Sequence, residues 1–370
     1  MAKSREALRV VIAGGGTGGH LFPGLAVAHE LRRQRPDAIV TFAGTAQGIE
    51  ARVVPGEGFE LDLLRSAGVK GKSLGRAVRG LALLPLSGID ALAILRRRRP
   101  HVVLGVGGYS SGPVVLAAAA RRVRTMVLEQ NAVPGLANRL LARVVDAAAV
   151  TYDEAIAWFG SKAVVTGNPV RAGFVAAGEA RRRAEVTEIR AARVLVFGGS
   201  QGAHAINLAM IDAAPALAKM DLVVTHQTGQ ADLAAVRRAY EATGVRGRVE
   251  PFFNEMDREM AHADLVVCRA GATTLAEVTA AGRAAILVPL PTATDDHQRK
   301  NADALVRAGA AEMLDQRDLT GASLAASIQR LVQDPARRDH LAQNARRLAR
   351  PDAARAIVEQ VIALAEGQRS

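Results

Sequence analysis

The chain has 370 residues, 49% hydrophobic and 23% charged, a mix that excludes a disordered chain and predicts about two domains of ~150 residues each. Its one cysteine, Cys268, excludes an internal disulfide framework and a cysteine-built zinc site. The net charge of +12 favours a polyanionic partner, and an aromatic content of 3% leaves few stacking platforms for single-stranded nucleic acid, which is not expected as a partner.

Short β-branched runs predict strands at 8–13, 38–43, 59–64, 101–106, 125–129, 146–151 and 163–166. A second series follows at 193–197, 222–225, 249–252, 264–268, 285–289 and 311–314. Helical patterns lie between them, among them 25–35, 203–219 and 275–281. Such alternation predicts an α/β fold of parallel sheets covered on both faces. The longest apolar stretch, 81–95, is broken by Pro85, Ser87, Gly88 and Asp90, so no membrane span is expected. The apolar run after Lys3, Arg5 and Arg9 is too short for a signal peptide, and a cytoplasmic chain is expected.

The two series read as two copies of one design. VVIA at 10–13 runs into GGGTGGH at 14–20, and VLVF at 194–197 runs into GGSQGAH at 198–204. About half the chain separates them, which predicts two doubly wound domains of similar size facing a cleft. The boundaries read as 1–169 for the first domain, 170–350 for the second, and a final helix in 351–370 able to cross back to the first.

A glycine-rich turn from strand to helix brings backbone N–H groups and the helix N-terminus to an anion. Gly14, Gly16 and Gly19 have the spacing of the dinucleotide fingerprint, but the second strand ends Ala43-Gly44-Thr45 without the acid that would hold a ribose. A Walker loop fails because His20 stands where lysine is required. Polar groups also gather at 107–112, 129–131, 269–277 and 295–301, after successive strands, where open α/β sheets build their sites.

Taken in order, GGGTGGH (14–20), GGYSSGP (107–113), EQNAVPG (129–135), GNPVR (167–171), GGSQGA (198–203), RAGATTLAE (269–277) and DHQRKNA (296–302) resemble the MurG family of N-acetylglucosaminyl transferases over nearly the whole chain. One departure is Leu128, where that family usually has histidine, so no role for that histidine carries over. The resemblance implies the GT-B architecture, with two Rossmann-like domains. It implies UDP-N-acetylglucosamine as donor and the undecaprenyl-diphosphate muramoyl-pentapeptide, lipid I, as acceptor, with lipid II formed by inversion through a β-1,4 bond. His20 is then the candidate base, with Glu129 as the alternative. Donor residues would be Thr17, Gly18, Gly19, Asn131, Arg171, Ser200, Phe253, Ala272, Thr273, Thr274, Leu275, Ala276, Glu277, Gln298 and Asn301. Gly15, Gly16, Gly107, Gly108 and Tyr109 would meet the acceptor and its diphosphate. No Asp-x-Asp pair is present, so neither metal nor cofactor is expected.

Two other enzyme readings stay open at this point, a nicotinamide oxidoreductase and another GT-B enzyme with a small acceptor. A basic non-catalytic scaffold is the third. A lipid-linked acceptor also implies a peripheral position on the cytoplasmic face of an anionic membrane, and other cell-wall synthesis proteins as partners. The expected membrane face is 69–99, with Lys70, Lys72, Arg76 and Arg79 beside Leu81, Leu83, Leu84 and Leu86, ending in the run Arg96, Arg97, Arg98 and Arg99.

Overall fold

The computed structural model describes residues 6–65, 74–183, 190–199, 202–293 and 296–367. They divide into two units, residues 1–169 with 352–370, and residues 170–351.

Unit 1 runs β1 (Arg9–Gly14), α1 (Gly18–Gln34), β2 (Ile39–Gly44), α2 (Glu50–Gly56), β3 (Glu60–Leu63), α3 (Leu74–Arg98), β4 (Val102–Gly107), α4 (Ser111–Ala120), β5 (Arg124–Glu129), α5 (Leu136–Leu141), β6 (Ala147–Val150), α6 (Ile156–Phe159) and β7 (Ala163–Val165). Its parallel sheet has the order β3-β2-β1-β4-β5-β6-β7. The apolar runs have the continuous character of strands covered on both faces: all of β4 is buried. Alternate residues divide between two cores. Ile12, Leu104 and Leu128 join one cluster, while Val11, Val103 and Val127 join the other.

Unit 2 runs α7 (Ala172–Arg183), β8 (Ala192–Phe197), α8 (His204–Leu217), β9 (Leu222–Gln227), α9 (Leu233–Thr243), β10 (Gly247–Glu250), α10 (Met256–His262), β11 (Leu265–Cys268), α11 (Ala272–Ala281), β12 (Ala284–Leu287), α12 (His297–Arg307), β13 (Glu312–Met313), α13 (Gly321–Gln333) and α14 (Pro335–Leu348). Its parallel sheet has the order β10-β9-β8-β11-β12-β13. The last helix, α15 (Ala353–Ala365), belongs to unit 1. Its stripe Ile357, Val358, Val361 and Leu364 enters the same cluster as Leu21, Leu25 and Ile12.

Many boundaries shift by a residue or two from the sequence reading, and three differences have a plain physical cause. β10 spans Gly247–Glu250 rather than 249–252: Pro251 has no N–H to extend the ladder, and Gly247 pairs with Val224 of β9. α1 begins at Gly18, well before 25, because extended Thr17 caps it and accepts the amides of His20 and Leu21. α11 likewise starts at Ala272 behind extended Gly271, not at 275.

The basic run at the end of α3 is partly paired. Arg97 and Arg98 both bind the buried carboxylate of Asp62, and Arg98 also binds Glu60. These ion pairs tie α3 to β3, while the Arg97 side chain stays largely exposed. Lys70 and Lys72, with the side chains of Arg76, Arg79, Leu81, Leu83 and Leu84, lie outside the described residues.

Candidate active site

In an open α/β sheet the strand order reverses at one point, and ligands bind beyond the strand C-termini there. Unit 1 reverses between β1 and β4, and unit 2 between β8 and β11. The glycine-rich turns follow β1 and β8, so both sit at a switch point.

The turn after β1 lies against the end of β4: the Gly15 amide donates to the Gly107 carbonyl at 3.3 Å. His20 stands in the first turn of α1, half-buried, with Nδ1 3.3 Å from Thr17 Oγ1. Its ring lies on Gly107, where a Cβ would come within 2.6 Å of Cδ2, so a bare backbone is needed there. Gly108 follows, and Tyr109 is exposed. Gly16 departs from its expected role. Its N–H donates to Glu50 Oε2 at 2.7 Å, so that amide is already satisfied and is not offered to a diphosphate. The amides of Gly18 and Gly19 open α1 instead.

Glu129 is a second departure. It is 1% exposed, and its carboxylate accepts the amides of Asn131 and Gly135 and the side-chain amides of Asn131 and Asn138, at 2.8–3.2 Å. Burial pushes this carboxyl up, against the pull of those four donors. A carboxylate so enclosed shapes the loop that presents Asn131; it does not reach an acceptor hydroxyl as a base. Leu128 before it is fully buried in the apolar cluster.

In unit 2 the turn after β8 holds Gly198 and Gly199, and the Gly202 amide closes it onto the Gly199 carbonyl at 2.9 Å. Ser200 lies outside the described residues. Across the switch point, Glu277 of α11 is 7% exposed and accepts from Arg171 Nη2 at 3.1 Å. Burial pushes its carboxyl up to about 7; Arg171 pulls it down, and Asp257 adds a smaller upward push. Arg171 also lies over the Phe174 ring, 4.8 Å from guanidinium carbon to ring centre.

The rest of the predicted donor set is partly structural. Leu275 is a core side chain whose amide is used on Gly271, and Ala272 and Thr273 are buried; Thr274 and Ala276 keep some exposure. Gln298 accepts the Leu290 amide at 3.0 Å and so fixes the segment after β12. Asn301 is fully buried and donates to the Ala270 carbonyl, tying α12 to the entry of α11. The Phe253 amide, expected to face a ligand, donates to Gln227 Oε1 at 3.3 Å. Gln227 also donates to the Gly199 carbonyl at 2.7 Å and thereby joins the glycine-rich turn to the 251–253 segment. Gln227, Glu50 and Asn138 escaped the sequence reading. Each acts through a partner 9 to 34 residues away, with no local pattern to mark it.

Residues 10–150 match the glycosyltransferase family 28 N-terminal domain, and residues 193–361 match its C-terminal domain. A relative from Anaeromyxobacter dehalogenans (strain 2CP-1) is 49% identical over 95% of this chain and 92% of its own length. One from Geotalea uraniireducens (strain Rf4) is 45% identical over 96% and 98%. Both are named UDP-N-acetylglucosamine–N-acetylmuramyl-(pentapeptide) pyrophosphoryl-undecaprenol N-acetylglucosamine transferase. The crystal structure of Acinetobacter baumannii MurG matches with a TM-score of 0.76 and 30% identity, covering 96% of this chain and 99% of that one. The chain belongs to the MurG family.

Its two Rossmann-like units are those of a GT-B glycosyltransferase. The MurG motifs fall where the sheets place a ligand: GGYSSGP follows β4, EQNAVPG follows β5, and RAGATTLAE joins β11 to α11. A UDP-N-acetylglucosamine 2-epimerase from Neisseria meningitidis shares the fold, with a TM-score of 0.67 at 14% identity.

Proposed function

We propose that this chain transfers N-acetylglucosamine from UDP-N-acetylglucosamine to the muramoyl sugar of lipid I, giving lipid II and UDP. The observation that carries this reading is the pairing of chemistries at the two switch points. A half-buried histidine stands beside a turn in one unit, and a part-buried Glu–Arg pair stands beside a glycine-rich turn in the other.

The reaction is one in-line displacement with inversion. His20 takes the proton of the acceptor hydroxyl as its oxygen bonds to the anomeric carbon, and the bond from that carbon to the UDP oxygen breaks. Charge grows on the departing diphosphate. Arg171, the α11 N-terminus and the turn after β8, with Ser200, stabilise it without reorganising at the moment of reaction. Glu277 accepts the ribose hydroxyls, the backbone at Phe253 meets the uracil once Gln227 yields, and Gln298 and Asn301 hold the frame that grips the sugar. Unit 1 offers Thr17, Gly18, Gly19 and Asn131 to the reacting sugars. Gly15, Gly107, Gly108 and Tyr109 line the acceptor side. The chain acts peripherally at the cytoplasmic face of an anionic membrane, where its acceptor is anchored and where other cell-wall synthesis proteins work.

The deciding experiment supplies radiolabelled UDP-N-acetylglucosamine with a lipid I analogue. Label is expected in the lipid product. Release of label to water alone, or no transfer to this acceptor while UDP is bound, overturns the reading.

A further inference from the structure

Glu50 is a fully buried carboxylate in the first turn of α2, with its oxygens turned back onto backbone. Oε2 accepts the Gly16 amide at 2.7 Å. Oε1 accepts both the amide and the hydroxyl of Thr45, each at 2.9 Å. The carboxyl group fills a socket built for it: a Cβ at Gly15 or at Gly48 would overlap it. Gly16 and Gly15 belong to the turn that feeds α1, and His20 lies four residues beyond Gly16 in the first turn of that helix.

We propose that Glu50 is a positioning residue for the transfer reaction: it fixes the glycine-rich turn of unit 1 and, through it, the place of His20. An anion at this turn is what a phosphate supplies in a nucleotide-binding fold. Here the chain supplies its own, from 34 residues further on, which leaves no vacancy at Gly16 for a dinucleotide pyrophosphate. The turn is therefore set before any substrate arrives. Preorganisation of this kind shows in the turnover number, because a reacting group displaced by about 1 Å costs on the order of a hundredfold in rate.

Glu50→Gln is the informative change. An amide keeps the volume but has one acceptor oxygen, and its NH₂ must face either the Gly16 amide or the Thr45 amide, donor against donor. The inference rests on His20 acting as base, so the test is a double-mutant cycle with His20→Ala. E50Q is expected to fold, to bind UDP with unchanged affinity, to keep its KM for the donor and to lose about tenfold to hundredfold in kcat. In the H20A background the same change should cost little more, since the group it positions is gone. A milder variant, Thr45→Val, removes one hydroxyl from the carboxylate and should give a smaller loss of the same kind if E50Q proves unstable. Native kcat in folded E50Q, or losses that multiply fully with those of H20A, overturns the role assigned to Glu50. Native kcat in H20A alone instead overturns the base assignment, so the two failures are distinguishable.

Discussion

Glu277 stands in surroundings that cost the folded chain stability and that its chemistry uses. In unfolded chain its carboxyl would titrate near 4.5, and burial holds it at about 7 in the fold. The folded state therefore binds the proton more tightly than the unfolded state. Stability is highest below the lower value, falls as pH rises between the two, and stays low above the upper one. The difference is on the order of 3 kcal/mol at pH 8. Glu277→Gln removes that penalty, so its Tm should exceed that of the parent chain at pH 8 and match it near pH 4.5, measured by scanning calorimetry. The same variant should bind UDP more weakly in titration calorimetry, because an amide replaces only part of a charge-assisted pair of hydrogen bonds. Equal Tm at both pH values would mean that Arg171 already compensates the charge; equal UDP affinity would remove Glu277 from the ribose. His20→Ala makes the complementary test: kcat should fall by about 10²–10⁴ with UDP affinity unchanged, and near-native turnover would leave His20 as a loop residue only. Both residues were legible in sequence because each follows a strand end within a local motif. Glu50 and Gln227 were not. Their meaning comes from carbonyls and amides brought to them by the sheet, across 26 to 34 residues of chain.

The central strands β1, β4, β5, β8 and β11 were legible as apolar runs because a strand buried on both faces needs an unbroken apolar segment. Helix starts were less so. The first turns of α1 and α11 carry Gly, His, Ala and Thr rather than an apolar stripe, and what begins the helix is an extended cap before it. The final helix was visible from its period, but its partner was not, since periodicity names a buried face without naming what covers it. In the fold that partner is unit 1: Ile357, Val358 and Val361 are fully buried in the cluster around α1 and β4. Unit 1 is therefore built from two stretches of chain with the whole of unit 2 between them. Ile357→Ala is expected to cost about 2–5 kcal/mol through lost burial and a cavity. In scanning calorimetry the loss should lower the transition of unit 1, leaving UDP-dependent stabilisation of unit 2 in place. A shift confined to the UDP-stabilised transition would contradict this assignment of α15.

At the scale of the whole molecule, a net charge of +12 and an acceptor anchored in lipid ask where the chain meets a membrane. No helix among the described residues is long and apolar enough to cross one. In the fold two of the basic groups on α3, Arg97 and Arg98, are paired with Asp62. The fold also leaves Leu86 and Ile89 exposed on α3, downstream of Arg76 and Arg79. Each basic residue near an anionic leaflet contributes ~1 kcal/mol, a term that salt screens, whereas inserted leucines resist salt. The chain should therefore sediment with phosphatidylglycerol-containing vesicles at low ionic strength, and much less with neutral ones. Arg76→Glu with Arg79→Glu and Leu83→Ser should release it from the anionic vesicles while UDP binding stays intact. A second apolar surface competes for the role. Leu136, Leu140 and Val144 are exposed on and just after α5, where Arg139 lies over the Trp158 ring. If the triple variant still binds vesicles fully and Leu140→Ser does not, the membrane face lies at α5 and the α3 assignment is wrong.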